Sequence, residues 1–256
     1  MDMLLMLGIM AAVFFIAIIV MCCFRDKLES RLIHILFIVG TGICFFAWNY
    51  AMYDRGGLRD GFMTLENISP YICTVILFSP FLGEKVREFV HSAIAFLAVG
   101  MFVALFISPG ADYLSSPGVT ANFMHVSEAA CHLLMALYGF YLIISSKVKV
   151  NMKSLFKSLV FIYLSIGFGV FINFYFHRDN FGMDMYGDYS IYFLDIFESF
   201  EATFVAYLIG VLGTILIGYL AAHFMDWISR PAEVGEKSEK IESVENIAST
   251  ENTEQN

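Results

Sequence analysis

Three ionisable residues, His125, Glu128 and His132, stand at i, i+3 and i+7 inside the apolar run TANFMHVSEAACHLLMALYGFYLIIS, residues 120–145. On a helix that spacing gathers them on one face. A neutral imidazole there can take a proton from a nucleophile or pass one along a relay, and a carboxylate one turn away can fix its tautomer. A second face of this kind lies in FMTLENISPYICTVILF, where Glu66, Pro70 and Cys73 fall at i, i+4 and i+7. A thiol beside an imidazole makes a nucleophile, because the imidazole can generate the thiolate that reacts. Two further sets complete the inventory. Asp195 and Glu198 are one turn apart in YFLDIFESFEATF, and Asn67 and Asn173 carry amide donors suited to a developing oxyanion.

Each of these residues also has a purely structural reading. Asp195, Glu198 and Glu201 fit the wet first turns of a helix, where the macrodipole favours acids. A lone intramembrane Asn serves as interhelical hydrogen-bond glue, and a buried Cys as inert packing. His34, His91 and His223 read as interfacial or packing residues.

The elements that must position these groups are membrane helices. The 256-residue chain is 59% hydrophobic, 16% aromatic and only 15% charged, with a mean hydropathy of +0.71, which excludes an ordinary soluble domain. Stretches of about 20 apolar residues recur at roughly 3–24, 32–52, 62–82, 89–108, 119–145, 155–176 and 190–225. The expected fold is therefore all-α, a polytopic bundle of about seven spans occupying residues 1–228. Charges inside such spans are costly and mark function. At about 1.5 Å rise per residue, His125 lies roughly 9 Å and His132 roughly 20 Å into the fifth span, with Cys73 roughly 16 Å below Phe62 in the third. Pro70 is expected to kink the third span by freeing a carbonyl near Glu66. Trp48 and Asn49 reach the same side, so the polar residues of five helices converge on a cavity open to the outer leaflet.

Basic residues give the orientation. Twelve of the 15 Lys and Arg residues fall in alternate connections and the tail, and three, Arg55, Arg59 and Arg178, on the other side. The N-terminus is then outside and the C-terminus inside. Asp2 and the length of the first apolar run mark a retained helix rather than a cleaved signal. Residues 229–256 are acidic, lack aromatics and read as a disordered cytoplasmic tail whose seven Glu outnumber its three Lys and Arg residues. No phosphate-binding Gly-rich loop, HExxH, CxxC or G-x-S-x-G motif occurs, and Cys44, Cys73 and Cys131 lie within spans, so no disulfide framework is indicated.

The pattern N-x-x-P-x-x-C at Asn67, Pro70 and Cys73, then HLLMALY from His132 to Tyr138, then INFYF around Asn173, resembles the YwaF-like family of bacterial integral membrane proteins. That family is related to the eukaryotic transmembrane protein 164 family of phospholipid acyltransferases. The resemblance covers about residues 30 to 225. It implies a helical bundle in a cell membrane in which Cys73 and His132 act on an acyl ester of a lipid, with membrane lipids as partners, no nucleic acid and no cofactor. Tyr71 and Ile72 before the cysteine, and the additional His125 and Glu128, depart from the pattern and leave the identity of the base open. On this reading Glu128 orients His132, Asn67 or Asn173 donates to the oxyanion, and Glu66, His125, Asp195 and Glu198 line the substrate cavity. A different class remains: a proton-coupled carrier of a small molecule or ion with Glu66, His125, Glu128 and Asp195 as its relay. A metal-dependent hydrolase using His125, His132 and the acids of the seventh span has no tight ligand spacing behind it.

Overall fold

The computed structural model describes residues 2–54, 68–107, 120–176 and 200–229. Within them the chain forms seven α-helices: α1 (Met3–Cys23), α2 (Arg31–Asp54), α3 (Ile68–Phe78), α4 (Glu84–Ile107), α5 (Phe123–Ile144), α6 (Met152–Phe176) and α7 (Phe200–Ser229). Two 3-10 turns, Arg25–Lys27 and Ser79–Phe81, follow α1 and α3. Among the described residues there is no strand; one isolated β-bridge joins Asp2 to Thr120. Six of the helices are long and apolar enough to cross a membrane, and α3 with its turn forms a shorter apolar segment. Six helices of this length and composition mark a multi-pass membrane protein, all-α as the apolar runs require.

The expected third span, 62–82, is represented by the 11 residues of α3. These rise about 16 Å, roughly half the hydrocarbon core. Pro70 is the third described residue of α3, and Glu66, whose carbonyl it was expected to free, lies outside the described residues. Residues 62–67, the first part of that expected span, lie outside the described residues, as do 190–199 at the start of the seventh and the tail from 230 onward.

The helix that carries the polar stripe is the axis of the bundle. Of its 22 residues, 17 are buried in α5, and α1, α2, α3, α4 and α7 all pack on it. By contrast only 22% of the apolar window of α1, and of α7, is covered by protein. Their Ile16, Ile19, Ile209 and Leu220, with Leu36 of α2 and Leu164 and Phe174 of α6, face outward. A continuous apolar exterior of this extent is a lipid-facing surface. Close approach is achieved by glycine: a Cβ at Gly139 of α5 would stand 2.6 Å from Ala98 Cβ and 2.7 Å from the Ile94 carbonyl of α4. On the opposite side of α4, a Cβ at Gly218 of α7 would stand 1.7 Å from the Phe96 carbonyl. Two helices thus dock through glycine onto α4, the small-residue packing typical of membrane bundles.

Alternating helix directions sort the charges. All the Lys and Arg residues among the described residues, Arg25 to Arg31, Lys85 and Arg87, and Lys147 to Lys157, lie at one end. That end is laced across helices: Arg25 donates from Nη2 to Ser146 Oγ (2.7 Å) and from Nη1 to Ser229 Oγ (3.1 Å), and Lys157 of α6 pairs with Glu88 of α4. At the other end Asp2 caps α1, its Oδ1 accepting from the Leu5 amide.

Candidate active site

Near the middle of α5, nine residues or about 14 Å from its start, His132 turns its ring into the bundle and is 1% exposed. Both ring nitrogens are engaged. Nδ1 lies 3.0 Å from the main-chain carbonyl of Glu128, one turn earlier. A carbonyl only accepts, so Nδ1 carries the proton, and in the neutral ring Nε2 presents its lone pair. At Nε2, 2.9 Å away, is Ser69 Oγ of α3, whose hydroxyl donates to it. Ser69 of α3 therefore lies at the depth of His132, at the centre of the bundle. Trp48 of α2 closes one side, its ring centroid 5.8 Å from that of the imidazole, and Met101 Sδ of α4 lies 4.0 Å from Ser69 Oγ.

Cys73 follows Ser69 by one turn on the same face of α3 and is fully buried. Its Sγ lies 3.4 Å from Met135 Sδ of α5, with the thiols of Cys131 and Cys44 as neighbours. All five cysteines are free. The face of α3 turned toward α5 thus offers a hydroxyl on the imidazole and a thiol one turn along, in sulfur-rich, apolar surroundings.

The other expected site residues separate into three groups. Glu128 orients His132, but through its main-chain carbonyl; the carboxylate role expected from sequence is filled by the backbone. His125 is a capping residue: its amide donates to Asn122 Oδ1 (3.1 Å) and its Nδ1 accepts from the Asn122 amide (3.3 Å). This reciprocal pair closes the first turn of α5, satisfying amides that would otherwise be orphaned in an apolar setting. Asn173 is fully buried in α6, and Asn49, also buried, donates to the Phe45 carbonyl at 2.8 Å. Glu66, Asn67, Asp195 and Glu198 lie outside the described residues. Ser69 is the residue that the sequence reading passed over. Its signal was present: it precedes Cys73 by four, so it shares the face that Cys73 was placed on.

A second polar cluster sits two turns along α5 toward the basic end. The Tyr138 hydroxyl is 3.5 Å from His34 Nδ1 and 3.4 Å from His91 Nε2, long but convergent contacts that link α2, α4 and α5. Among the described residues, no group of three or more His, Cys, Asp or Glu side chains converges as metal ligands.

The arrangement at His132 has the parts of nucleophilic acyl chemistry: a base within 2.9 Å of a hydroxyl, an orienting acceptor behind it, and a thiol along the same face. No family model, curated protein or solved structure matches the chain.

Proposed function

We propose that this chain is a multi-pass protein of a bacterial cell membrane, N-terminus outside and C-terminus inside, that transfers or hydrolyses an acyl group of a phospholipid at the His132 centre. The observation that carries the reading is the tautomer-locked imidazole of His132 set against the face of α3 that bears Ser69 and Cys73. The resemblance to the YwaF-like family, on Asn67, Pro70, Cys73, His132 and Asn173, supports the same chemistry, and the ester bond of a lipid reaches mid-depth sites only from within the bilayer.

Cys73 is the nucleophile of this reading. Its sulfur attacks the ester carbonyl, the carbon–oxygen bond to the lysolipid breaks, and the thiol proton travels through His132 Nε2 to the departing alkoxide. In the second step a lipid hydroxyl or water gives its proton to Nε2 and attacks the thioester, and the proton returns to the sulfur. Splitting the transfer lowers each barrier. Before substrate arrives, the Ser69 hydroxyl holds Nε2 in place of the acceptor hydroxyl. A base backed by a neutral carbonyl rather than a carboxylate suits a thiol, which gives up its proton more readily than an alcohol and needs less stabilisation of the imidazolium. A second reading makes Ser69 itself the nucleophile, favoured by its 2.9 Å bond to Nε2.

Trapping the acyl-enzyme from a fluorescent phospholipid separates these readings. A thioester on Cys73 is released by neutral hydroxylamine and is lost in Cys73→Ala, whereas an ester on Ser69 resists hydroxylamine and is lost in Ser69→Ala. Lipid acyl exchange that persists undiminished in His132→Ala would remove both.

A further inference from the structure

The basic end of the bundle encloses a cavity of about 480 Å³ between the first turns of α4, the loop that joins α5 to α6, and the first turns of α6. Arg87, Lys147, Lys149, Lys153 and Lys157 line it, against two carboxylates, Glu84 and Glu88, which leaves an excess of three positive charges. Glu88 is already paired with Lys157. Among the described residues no carboxylate lies within ion-pairing distance of Arg87, Lys147, Lys149 or Lys153. Four cations thus face one concavity outside any direct ion pair among the described residues, and the two acids of the lining leave the positive charge in excess, at the side of the molecule farthest from Asp2 and the capping turn of α5.

The backbone adds to this charge. Both α4 and α6 begin at the cavity, so the positive ends of two helix dipoles lie beside the cations. The loop between is fixed. Ser146 takes a left-handed φ of 57°, an arrangement a non-glycine residue holds only when its surroundings impose it. Here the Ser146 amide donates to the Ile143 carbonyl and the Val148 amide to the Leu142 carbonyl, each at 2.9 Å, while Arg25 holds the Ser146 hydroxyl. Asn151 and Ser154 cap α6 reciprocally, at 3.0 and 3.3 Å. The inner wall is His91, backed by Tyr138. A site whose loop is already ordered loses little on binding, and its volume falls in the range of about 300–1,000 Å³ typical of small-ligand sites.

We propose that this cavity binds a phosphate-bearing anion, presented as a phospholipid headgroup at the membrane face or as a free phosphate compound. Lysine ammonium groups meet phosphate as point charges, and the Arg87 guanidinium supplies the planar, bidentate fork. The inference stands apart from the acyl chemistry at His132. Basic residues that served only to orient the chain in the membrane would act as a diffuse charge, and Lys27, Arg31 and Lys85, at the same end but outside the cavity lining, provide that comparison.

The test uses the full chain in nanodiscs of phosphatidylcholine alone or with one fifth phosphatidylglycerol by design, with bound lipid counted by native mass spectrometry after release and inorganic phosphate binding followed separately by radiolabel. Retained phosphatidylglycerol that inorganic phosphate does not displace identifies the headgroup; saturable inorganic phosphate binding in pure phosphatidylcholine identifies the free compound. In either case Arg87→Gln with Lys149→Gln weakens binding at least about tenfold, the loss of charge-assisted bonds, while Lys27→Gln with Lys85→Gln leaves it within about twofold, the size of a surface screening effect. Lys147→Gln with Lys149→Gln, confined to the loop, gives the same direction should the Arg87 variant not fold. Equal losses in the cavity and comparison variants, or binding of neither probe, overturn the proposal.

Discussion

Replacing Gly218 by alanine tests the packing on which every other statement about the bundle depends. The added Cβ would stand 1.7 Å from the Phe96 carbonyl oxygen, 2.7 Å from its carbon and 3.2 Å from its Cα, where ordinary contact begins at 3.4 Å. The shortfall to the oxygen is the difference, 1.7 Å, and it is against backbone, so no side-chain rotation relieves it. Helices α4 and α7 must separate. Overpacking of this kind costs about 1–3 kcal/mol, and a clash between two backbones belongs at the upper end. Alanine returns about 1 kcal/mol of helix propensity, leaving a net loss of about 2 kcal/mol. Five residues earlier on the same helix, a Cβ at Gly213 meets nothing within 4 Å, so Gly213→Ala keeps the propensity gain of up to about 1 kcal/mol. At about 2–4 °C per kcal/mol for a chain of this size, thermal unfolding in one detergent should fall by about 4–8 °C for Gly218→Ala and rise by up to about 4 °C for Gly213→Ala. If Gly218→Ala melts with the wild type or above it, α4 and α7 do not approach as described here.

Three more predictions follow from single contacts. Asn122→Ala removes the Oδ1 that accepts from the His125 amide, leaving the main-chain half of the cap on α5, and should cost about 1 kcal/mol, read as a lowered unfolding midpoint and faster amide exchange in the first turn of that helix. Ser158 is fully buried with no hydrogen-bond partner for its hydroxyl among the described residues, so Ser158→Ala should be neutral or stabilise by about 1 kcal/mol; a loss of more than that would mean the hydroxyl has a partner. Ser69→Ala leaves His132 Nε2 buried without its donor and should destabilise by about 1–3 kcal/mol, whereas Ser69→Thr, which keeps the hydroxyl, should recover most of that loss; equal destabilisation by both would show that the hydrogen bond is not what matters at this position.

Hydropathy made most of the helices legible because it reports contact with lipid. The expected runs 32–52, 119–145 and 155–176 differ from α2, α5 and α6 by only a few residues at each end. It placed the start of α4 five residues late, since the first turn, Glu84 to Glu88, is charged and projects into the basic end rather than into the apolar core. The site was legible in part. His132 announced itself as an ionisable group in an apolar helix, but its partner is a serine, and serine in such helices usually satisfies itself: Ser92, Ser127, Ser145 and Ser165 each donate to the carbonyl four residues back. Ser69 bonds across to α5 instead. Periodicity within one helix carries no record of a contact between two. For the same reason the Glu128 contribution was assigned to its carboxylate, because a side chain is visible in a sequence and an orienting carbonyl is not. His125 shows the converse: Asn122 with a hydrogen-bonding residue three positions later is a helix-start signature, and the stripe that suggested chemistry concealed a cap.

The burial of α5 explains why these polar groups fall where they do. A helix surrounded by protein on most of its circumference cannot hand its hydroxyls and imidazoles to water, so each must find a protein partner or lose stability. Along α5 the partners are found in order: the Asn122 cap for His125, helix carbonyls for Ser127 and Ser145, Ser69 and the Glu128 carbonyl for His132, and His34 with His91 for Tyr138. Most of these bonds remain within α5 or its cap. Those of His132 and Tyr138 cross to other helices, and they do so at the two places where a group of opposite role is supplied by a neighbour: a hydroxyl at a ring lone pair, and two imidazoles around a phenol. A bundle needing only cohesion could have used alanine or leucine at both positions, as it does at Ala136 and Leu133. Polar side chains retained at the most buried positions, and bonded between helices rather than along one, are the residues whose removal should affect activity more than assembly. That ordering places His132 first, with Tyr138, behind the His91 wall of the basic cavity, second.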